Sequence, residues 1–266
     1  MPKTALAIAC HPDDIEFVMA GTLLLLKDRG YETHYMNVAN GSMGTREYTR
    51  EQIIEIRRNE AMTAAKSLGA VYHESLVDDL GVFYDSATCM KLCSIVRQVK
   101  PEILLVQSPQ DYMEDHQNAV RLAVTAAFCR GMRNTPVNPP CEPISQDVTV
   151  YHAQPHGNRD ALRKIVRAGL YVDIESVLER KKAALASHKS QQNWLDESQK
   201  MNAYIENMVA MTAEVGSLSK RYHFAEGWRR RSSLGFCASD ADPLLDALAD
   251  VAHIDAEYEA GLDTTA

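Results

Sequence analysis

Two short stretches of the chain hold the residue types from which metal-assisted hydrolysis is built. The first, His11-Pro-Asp-Asp14, follows directly on the apolar run Leu6–Cys10. An imidazole and a carboxylate within four residues can reach one cation. A second carboxylate beside them stays free to take a proton from a water that the cation has acidified. The second stretch, Asp111-Tyr-Met-Glu-Asp-His116, is an acidic loop ending in a histidine. Two histidines and one aspartate brought together from separate strands would make a catalytic zinc site with one position open for water. The structural alternative is helix capping, by His11 and Asp14 at a helix beginning near Ile15 and by Asp115 and His116 at one beginning at Gln117, because aspartate is a favoured N-cap. Two acidic, histidine-bearing loops at strand ends make a double coincidence of caps the weaker account.

The elements that must bring these loops together are legible as alternation. Leu6–Cys10 reads as a buried strand, Phe17–Arg29 as a helix ended by Gly30, and Glu32–Ala39 as a second strand. Arg50–Leu68 carries apolar or small residues at helical spacing and is closed by Gly69. Val71–Leu76 is a third strand, Ala87–Val99 a helix stopped before Pro101, Ile103–Gln107 a fourth strand and Gln117–Arg130 a further helix. This βαβα order predicts an α/β fold, a Rossmann-like parallel sheet flanked by helices. Beyond it, residues 134–155 read as loop with a late strand at Val148–His152, and Asp160–Leu170 as a short helix or a basic loop. Glu175–His188 and Trp194–Val215 read as long helices forming a C-terminal helical extension, Leu244–Ala256 as a last helix, and Gly261–Ala266 as a frayed end. The reading is one domain over 1–266, with a parallel α/β core at 1–132, a late strand and helices at 133–240 and a tail at 241–266. In such sheets ligands bind outside the carboxyl ends of the strands. The loops after Cys10, Ala39, Leu76 and Gln107 are therefore expected on one rim. No Gly-x-Gly-x-x-Gly follows the first strand, so the fold analogy carries no dinucleotide.

The bulk properties exclude several classes. A net charge of -8 argues against nucleic-acid binding, which needs a basic face for phosphates. No segment approaches the roughly 18 apolar residues of a membrane span. The apolar run near the N-terminus ends in His-Pro-Asp-Asp where a signal peptide would have a small-residue cleavage site, so it reads as a strand. The six cysteines, Cys10, Cys89, Cys93, Cys129, Cys141 and Cys237, then read as reduced thiols of a cytoplasmic protein.

The stretch Ala9-Cys-His11-Pro-Asp-Asp14-Ile-Glu-Phe resembles the Ala-His-Pro-Asp-Asp-Glu signature of the PIG-L (LmbE-like) deacetylases. Further matches follow in the family's order. They are Asn40-Gly41 with Gly44-Thr45, Ile56-Arg57-x-x-Glu60-Ala61 with Leu68-Gly69, and Asp115-His116. Then come Asp173-Ile174, Lys181 and Lys182 before Ala184-Leu185, His188-x-Ser190-Gln191 and Phe224-Ala-Glu226-Gly-Trp228. The resemblance spans roughly residues 4 to 230. It implies zinc-dependent removal of the acetyl group from an N-acetylglucosamine-type sugar, a small-molecule N-acylated amino sugar. His11, Asp14 and His116 would hold Zn2+, and Asp13 would be the general base. Asp115 would be a supporting carboxylate, with Arg57 at the substrate and Asp79 on sugar hydroxyls. The same donor set accepts Fe2+, Co2+ or Mn2+. The chain departs from the pattern at Met113, where many members carry a histidine thought to assist the oxyanion or the leaving amine. Methionine cannot donate a proton, which leaves Glu114, Tyr112, His152, His156 or Asp13 itself as candidates for the acid.

Other residues carry weaker signals. His152, near the end of the late strand, is a candidate substrate contact, and Asp78 shares the rim with Asp79. Glu60 reads as a helix anchor and His188 as structural or interface-forming. Arg229, Arg230 and Arg231 read as an anion grip, a solvated face or a subunit contact. The long C-terminal helices offer material for a homo-oligomer. The alternatives to a sugar deacetylase are a zinc amidase acting on a non-sugar N-acyl compound and a sugar-binding protein with impaired catalysis.

Overall fold

The computed structural model describes residues 3–192 and 203–262. The first strand, β1 (Thr4–Ala9), alternates Leu6 and Ile8 with Ala5, Ala7 and Ala9, so each face of the sheet receives one set. On the alanine face the backbone of helices can approach closely. There pack α1 (Asp14–Val18), α2 (Ala20–Asp28) and α3 (Arg50–Ser67). On the other face, Leu6 and Ile8 meet α4 (Ser86–Val99) and α5 (Glu114–Phe128). The sheet is thus covered on both sides, as a parallel arrangement requires.

β2 (Glu32–Asn37) and β4 (Ile103–Val106) flank β1 in parallel, with Ile8 opposite Met36 and Val106. That register brings the carboxyl ends of three strands level. β3 (Val71–His73) adds outside β2, and β5 (Thr149–Ala153) outside β4, both parallel. The expected α/β sheet flanked by helices is present, and it continues further than the sequence indicates. β6 (Leu170–Asp173), β7 (Ala225–Arg230) and β8 (Ala252–Ile254) extend it to eight strands in the order β3-β2-β1-β4-β5-β7-β6-β8. β7 runs antiparallel to β5 and to β6, and β8 antiparallel to β6.

These late strands correct the reading of the C-terminal half as helical. Asp160–Leu170 is a loop closed by a bridge between Arg159 and Ile165. Glu175–His188 shortens to a 3-10 turn at Glu175–Val177 and the helix α6 (Leu178–Leu185). Trp194–Val215 lies partly outside the described residues, and within them α7 covers Ala203–Leu218. Leu244–Ala256 is not one helix. Asp242 accepts from Leu245 N and Pro243 occupies the first turn of α8 (Pro243–Leu248). β8 then intervenes before α9 (Ala256–Leu262), so residues after 241 add an edge to the sheet instead of a simple tail. Of the expected frayed end, residues 263–266 lie outside the described residues.

The single helix expected over Phe17–Arg29 is broken at Met19, whose φ of -136° leaves the helical region. Two buried side chains hold the break. Glu226 accepts from Gly21 N at 2.8 Å and Thr22 N at 2.7 Å, and Lys181 Nζ donates to Phe17 O at 3.0 Å. Donors at the start of α2 and an acceptor at the end of α1 are thereby satisfied without water. Among the described residues no helix is long and apolar enough to cross a membrane, and all six cysteines are unpaired.

Candidate metal centre and its cavity

The loop after β1 is held in an unusual conformation by its neighbours. Asn37 Nδ2, at the end of β2, donates to His11 O at 2.6 Å, and Cys10 N donates to Gln107 Oε1, just past β4, at 2.8 Å. The Arg57 guanidinium donates to Pro12 O. Within the loop, His11 N donates to Asp14 Oδ2 at 2.7 Å, while Asp13 takes a φ of 113°. A non-glycine residue there is strained, and such strain is kept where surrounding structure over-determines it. Neither Asp13 nor Met113, the residues that precede α1 and α5, makes a side-chain cap hydrogen bond. Of the acidic residues in the two loops, Asp13, Asp14, Asp111 and Asp115 turn inward, while Glu114 is exposed.

Three donor atoms converge. His11 Nδ1 lies 3.2 Å from His116 Nε2 and 3.6 Å from Asp14 Oδ2, and His116 Nε2 lies 3.4 Å from Asp14 Oδ2. Ligands bonded to zinc at about 2.1 Å at tetrahedral corners sit about 3.4 Å apart. The triangle matches that spacing, and its donors, two imidazoles and one carboxylate, match the ion's chemistry. Each imidazole also presents its other nitrogen to a carboxylate. His11 Nε2 is 3.2 Å from Asp115 Oδ2, which also accepts from Leu80 N at 2.7 Å. His116 Nδ1 is 3.0 Å from Asp111 Oδ1, an ion-pair approach that falls short of hydrogen-bond geometry. Carboxylates behind the ligating histidines fix ring orientation and raise basicity. Of these two supports, Asp111 is one the sequence reading did not single out.

The carboxylates around the two imidazoles favour positive charge at the triangle. Burial disfavours charge on His11, yet Cys10 and the carboxylates of Asp115 and Asp14 raise its pKa well above the usual imidazole range. His116 is likewise raised against burial by Asp14 and Asp111. Burial opposes ionisation of Asp14, but His116 and His11 more than offset it and hold the carboxyl below its ordinary range.

Asp13 stands beside the triangle with a different set of partners. Its Oδ2 accepts from Tyr204 Oη at 2.6 Å, and Oδ1 lies 3.5 Å from Arg57 Nη2. Burial raises its pKa above the ordinary carboxylate value, with Arg57 acting in opposition. Arg57 reaches this position because α3 begins cleanly. Thr49 and Gln52 form a reciprocal capping box, and the helix then turns Arg57 inward, 3% exposed. Gly41, at φ +79°, passes so close that a Cβ would collide with the Arg57 side chain. Asp79 closes the wall, accepting from Gly41 N at 2.7 Å and Met43 N at 2.9 Å. Its neighbour Asp78 instead pairs with Arg50.

These groups open onto a cavity of about 420 Å³, within the range of small-molecule sites. His11, Asp13, Asp14, Arg57, Asp79, Asp115 and His116 all line it, together with Met43, Leu80, Tyr112, Met113, His156 and Tyr204. His152 is not brought there. In β5 it shares a face with Val150, which packs in the core under α4 and α5, and its Nδ1 lies 3.2 Å from Gln107 O. Arg229 donates to Ser108 and Gln110, and Arg231, an exposed residue, places Nη1 3.4 Å from His152 Nε2. Glu60 anchors the segment after α6 by accepting from Ser190 N and Oγ. His188 is fully buried, 3.5 Å from Glu16.

The placement of His152 has a consequence for stability. Burial, with Arg229 and Arg231 adding to it, lowers its pKa to about 4. A base held neutral in the folded state contributes stability above its unfolded pKa of 6.5 that is lost as pH falls toward 4. The expected size is about 3 kcal/mol. Urea unfolding at a series of pH values should show a steep acid limb in wild type, and His152→Gln should flatten it between pH 6.5 and 4. Parallel limbs in the two proteins would refute the assignment.

Comparison with known proteins places the chain among relatives of similar sequence and fold. The chain is 30% identical over 202 residues to 4-oxalmesaconate hydratase of Pseudomonas putida, covering 72% of this chain and 75% of the relative. It is 28% identical over 196 residues to diacetylchitobiose deacetylase of Thermococcus kodakarensis, covering 71% and 70%. The crystal structure of 4-carboxy-2-hydroxymuconate hydratase from P. putida superposes with a TM-score of 0.71 at 25% identity, covering 86% of this chain and 95% of that one. Residues 6–128, which carry β1 through α5 and both acidic loops, match the family described as PIG-L, GlcNAc-PI de-N-acetylase. By this family match and by the 30% identity to a relative covered over three quarters of its length, the chain belongs to the PIG-L family.

Proposed function

We propose that the protein is a metal-dependent hydrolase that removes the acetyl group from an N-acetylglucosamine-type sugar, releasing acetate and the free amine. The observation that carries this reading is the charge of the cavity. Four carboxylates line it, and among the described residues Arg57 is its one lysine or arginine, already committed to Asp13 and Pro12 O. A divalent cation brings that balance close to neutral and leaves no surplus positive charge for a polyanionic substrate. A neutral sugar suits it, with Asp79 for hydroxyls and the apolar surfaces of Met43, Leu80 and Tyr112 for its faces. The relatives named for deacetylation of diacetylchitobiose and of an N-acetylglucosaminyl malate support the same substrate class.

His11, Asp14 and His116 would hold the ion, zinc by donor type, with Fe2+, Co2+ or Mn2+ able to replace it. When bound it would supply an acidified water and polarise the scissile carbonyl. Asp13, adjacent to the ligands but outside the triangle, is placed to accept the water's proton. Arg57 holds Asp13 in position and faces the cavity. Asp115 and Asp111 fix the two imidazoles. Six unpaired thiols support a reducing, cytoplasmic location.

A second reading, hydration of a carbon–carbon double bond, is favoured by the 30% identity to 4-oxalmesaconate hydratase and by Met113 in place of a histidine. One assay separates the two. Protein purified without chelators is analysed for metal, then given a panel of N-acetylglucosaminides with acetate measured, and in parallel 4-oxalomesaconate with loss of its conjugated absorbance. About one equivalent of metal with acetate release is the expected outcome, abolished by chelation and restored by zinc. Loss of absorbance without acetate would replace the deacetylase by the hydratase. Absence of metal would overturn the ligand assignment.

A further inference from the structure

We propose that His156 is the proton donor of the reaction, supplying from a different loop what Met113 cannot; the inference rests on the water-adding chemistry argued above. Either reading needs one. Once Asp13 has taken a proton from water, amide cleavage must protonate the departing nitrogen, and hydration must protonate a carbon.

The fold narrows the candidates, and Asp13 is held at both carboxylate oxygens, Oδ2 by Tyr204 Oη and Oδ1 by Arg57 Nη2. Glu114 is exposed in the first turn of α5 and does not line the cavity. His152 faces the core beneath Gln107. Tyr112 and His156 both line the cavity, Tyr112 with 54% of its surface exposed and His156 half-buried between Phe17 and Tyr112. His156 brings to the cavity wall an imidazole, whose ring nitrogens can carry and donate a proton.

The placement of His156 is built. It stands just beyond β5, and its backbone N–H donates to Asp111 Oδ2 at 2.9 Å. The other oxygen of that carboxylate is the one 3.0 Å from His116 Nδ1. A single side chain therefore sets both the ligand imidazole and the loop that carries the second imidazole. The His156 ring is flanked by Phe17, at 5.0 Å between centroids, and by Tyr112, at 6.2 Å. Both of these line the cavity as well.

In the hydrolytic case the bookkeeping closes. Water gives one proton to Asp13 as its oxygen bonds to the carbonyl carbon. The carbon–nitrogen bond then breaks with its electron pair going to nitrogen, which takes the proton from the His156 imidazolium. Asp13 and His156 return to their starting states by exchange with solvent.

The test uses the metal-loaded protein on whichever substrate the wild type turns over. His156→Gln should lose kcat by roughly 10²- to 10⁴-fold, with metal content unchanged and KM within about threefold. Introducing Met113→His into His156→Ala should restore at least about tenfold of the lost rate, because it returns an imidazole to the vicinity of the ligands. Glu114→Gln should leave kcat unchanged. His156→Gln with wild-type kcat, a loss traced to missing metal, or a collapse in Tyr112→Phe with the His156 variants spared would each overturn this inference alone. A metal-loaded wild type inert to both substrate types would overturn the water-adding reading and this inference with it.

Discussion

Asp13→Asn is expected to lower kcat toward the far end of the roughly 10²- to 10⁴-fold range that a general base contributes, while the protein keeps its fold and its metal. The substitution is chosen to remove the proton acceptor and little else. Asparagine tolerates positive φ better than most side chains, so the strained backbone at 113° is retained. Its amide oxygen can still accept from Tyr204 Oη, which now bonds to Asp13 Oδ2 at 2.6 Å. The donor triangle of His11, Asp14 and His116 does not include Asp13, so about one equivalent of metal should remain. Asp14→Asn makes the contrast. Asp14 Oδ2 is a corner of the triangle and also accepts from His11 N at 2.7 Å, so this variant should lose metal and activity together. Elemental analysis beside turnover distinguishes the two. If Asp13→Asn kept its rate within tenfold, another group would have to be the base. If it lost metal, Asp13 would belong to the ligand set.

How much of this was legible in the sequence depends on how local each signal is. His11-Pro-Asp-Asp14 could be read because strand, turn and side chains are contiguous, and β1 and β4 could be read from compact apolar runs. The second loop was legible in part. His116 and Asp115 stood out, yet the role of Asp111 depends on a turn that folds it back against His116. Tyr204 gave no local signal at all, since it reaches Asp13 from 191 residues away on a helix whose spacing shows only that it packs. His152 was read as a rim residue because it lies near the end of a strand, yet it shares a face with Val150 and turns toward the core. The antiparallel additions β6, β7 and β8 were missed for a related reason. They are four, six and three residues long, and β7 ends in arginines whose partners lie on distant loops. Nothing in such a stretch alternates enough to announce a strand before its neighbours are known.

The largest stability effect should come from a pair far from the rim that nonetheless governs it. Lys181 Nζ lies 2.5 Å from Glu226 Oε1, and both side chains are almost wholly excluded from solvent. Lys181 joins from α6 and Glu226 from β7, and together they satisfy the free backbone ends at the break between α1 and α2. Trp228, two residues along β7 and fully buried, adds a hydrogen bond from Nε1 to Thr22 Oγ1 at 2.9 Å. Lys181→Met removes one charge and leaves Glu226 buried beside backbone donors alone, which should cost about 3–5 kcal/mol. Glu226→Gln strands the ammonium but keeps one acceptor for the α2 donors, and should cost less. In the double variant no charge is left unpaired, so its loss should be smaller than the two single losses combined, a coupling that chemical unfolding of all four proteins measures directly. Strictly additive losses would mean that the pair acts only as packing. The same break carries the consequence to the site: α1 begins at Asp14 and presents Phe17 to the cavity. A variant in which α1 and α2 shift should therefore bind metal more weakly than wild type under conditions where it is still fully folded, and metal titration of Lys181→Met below its unfolding transition tests that link.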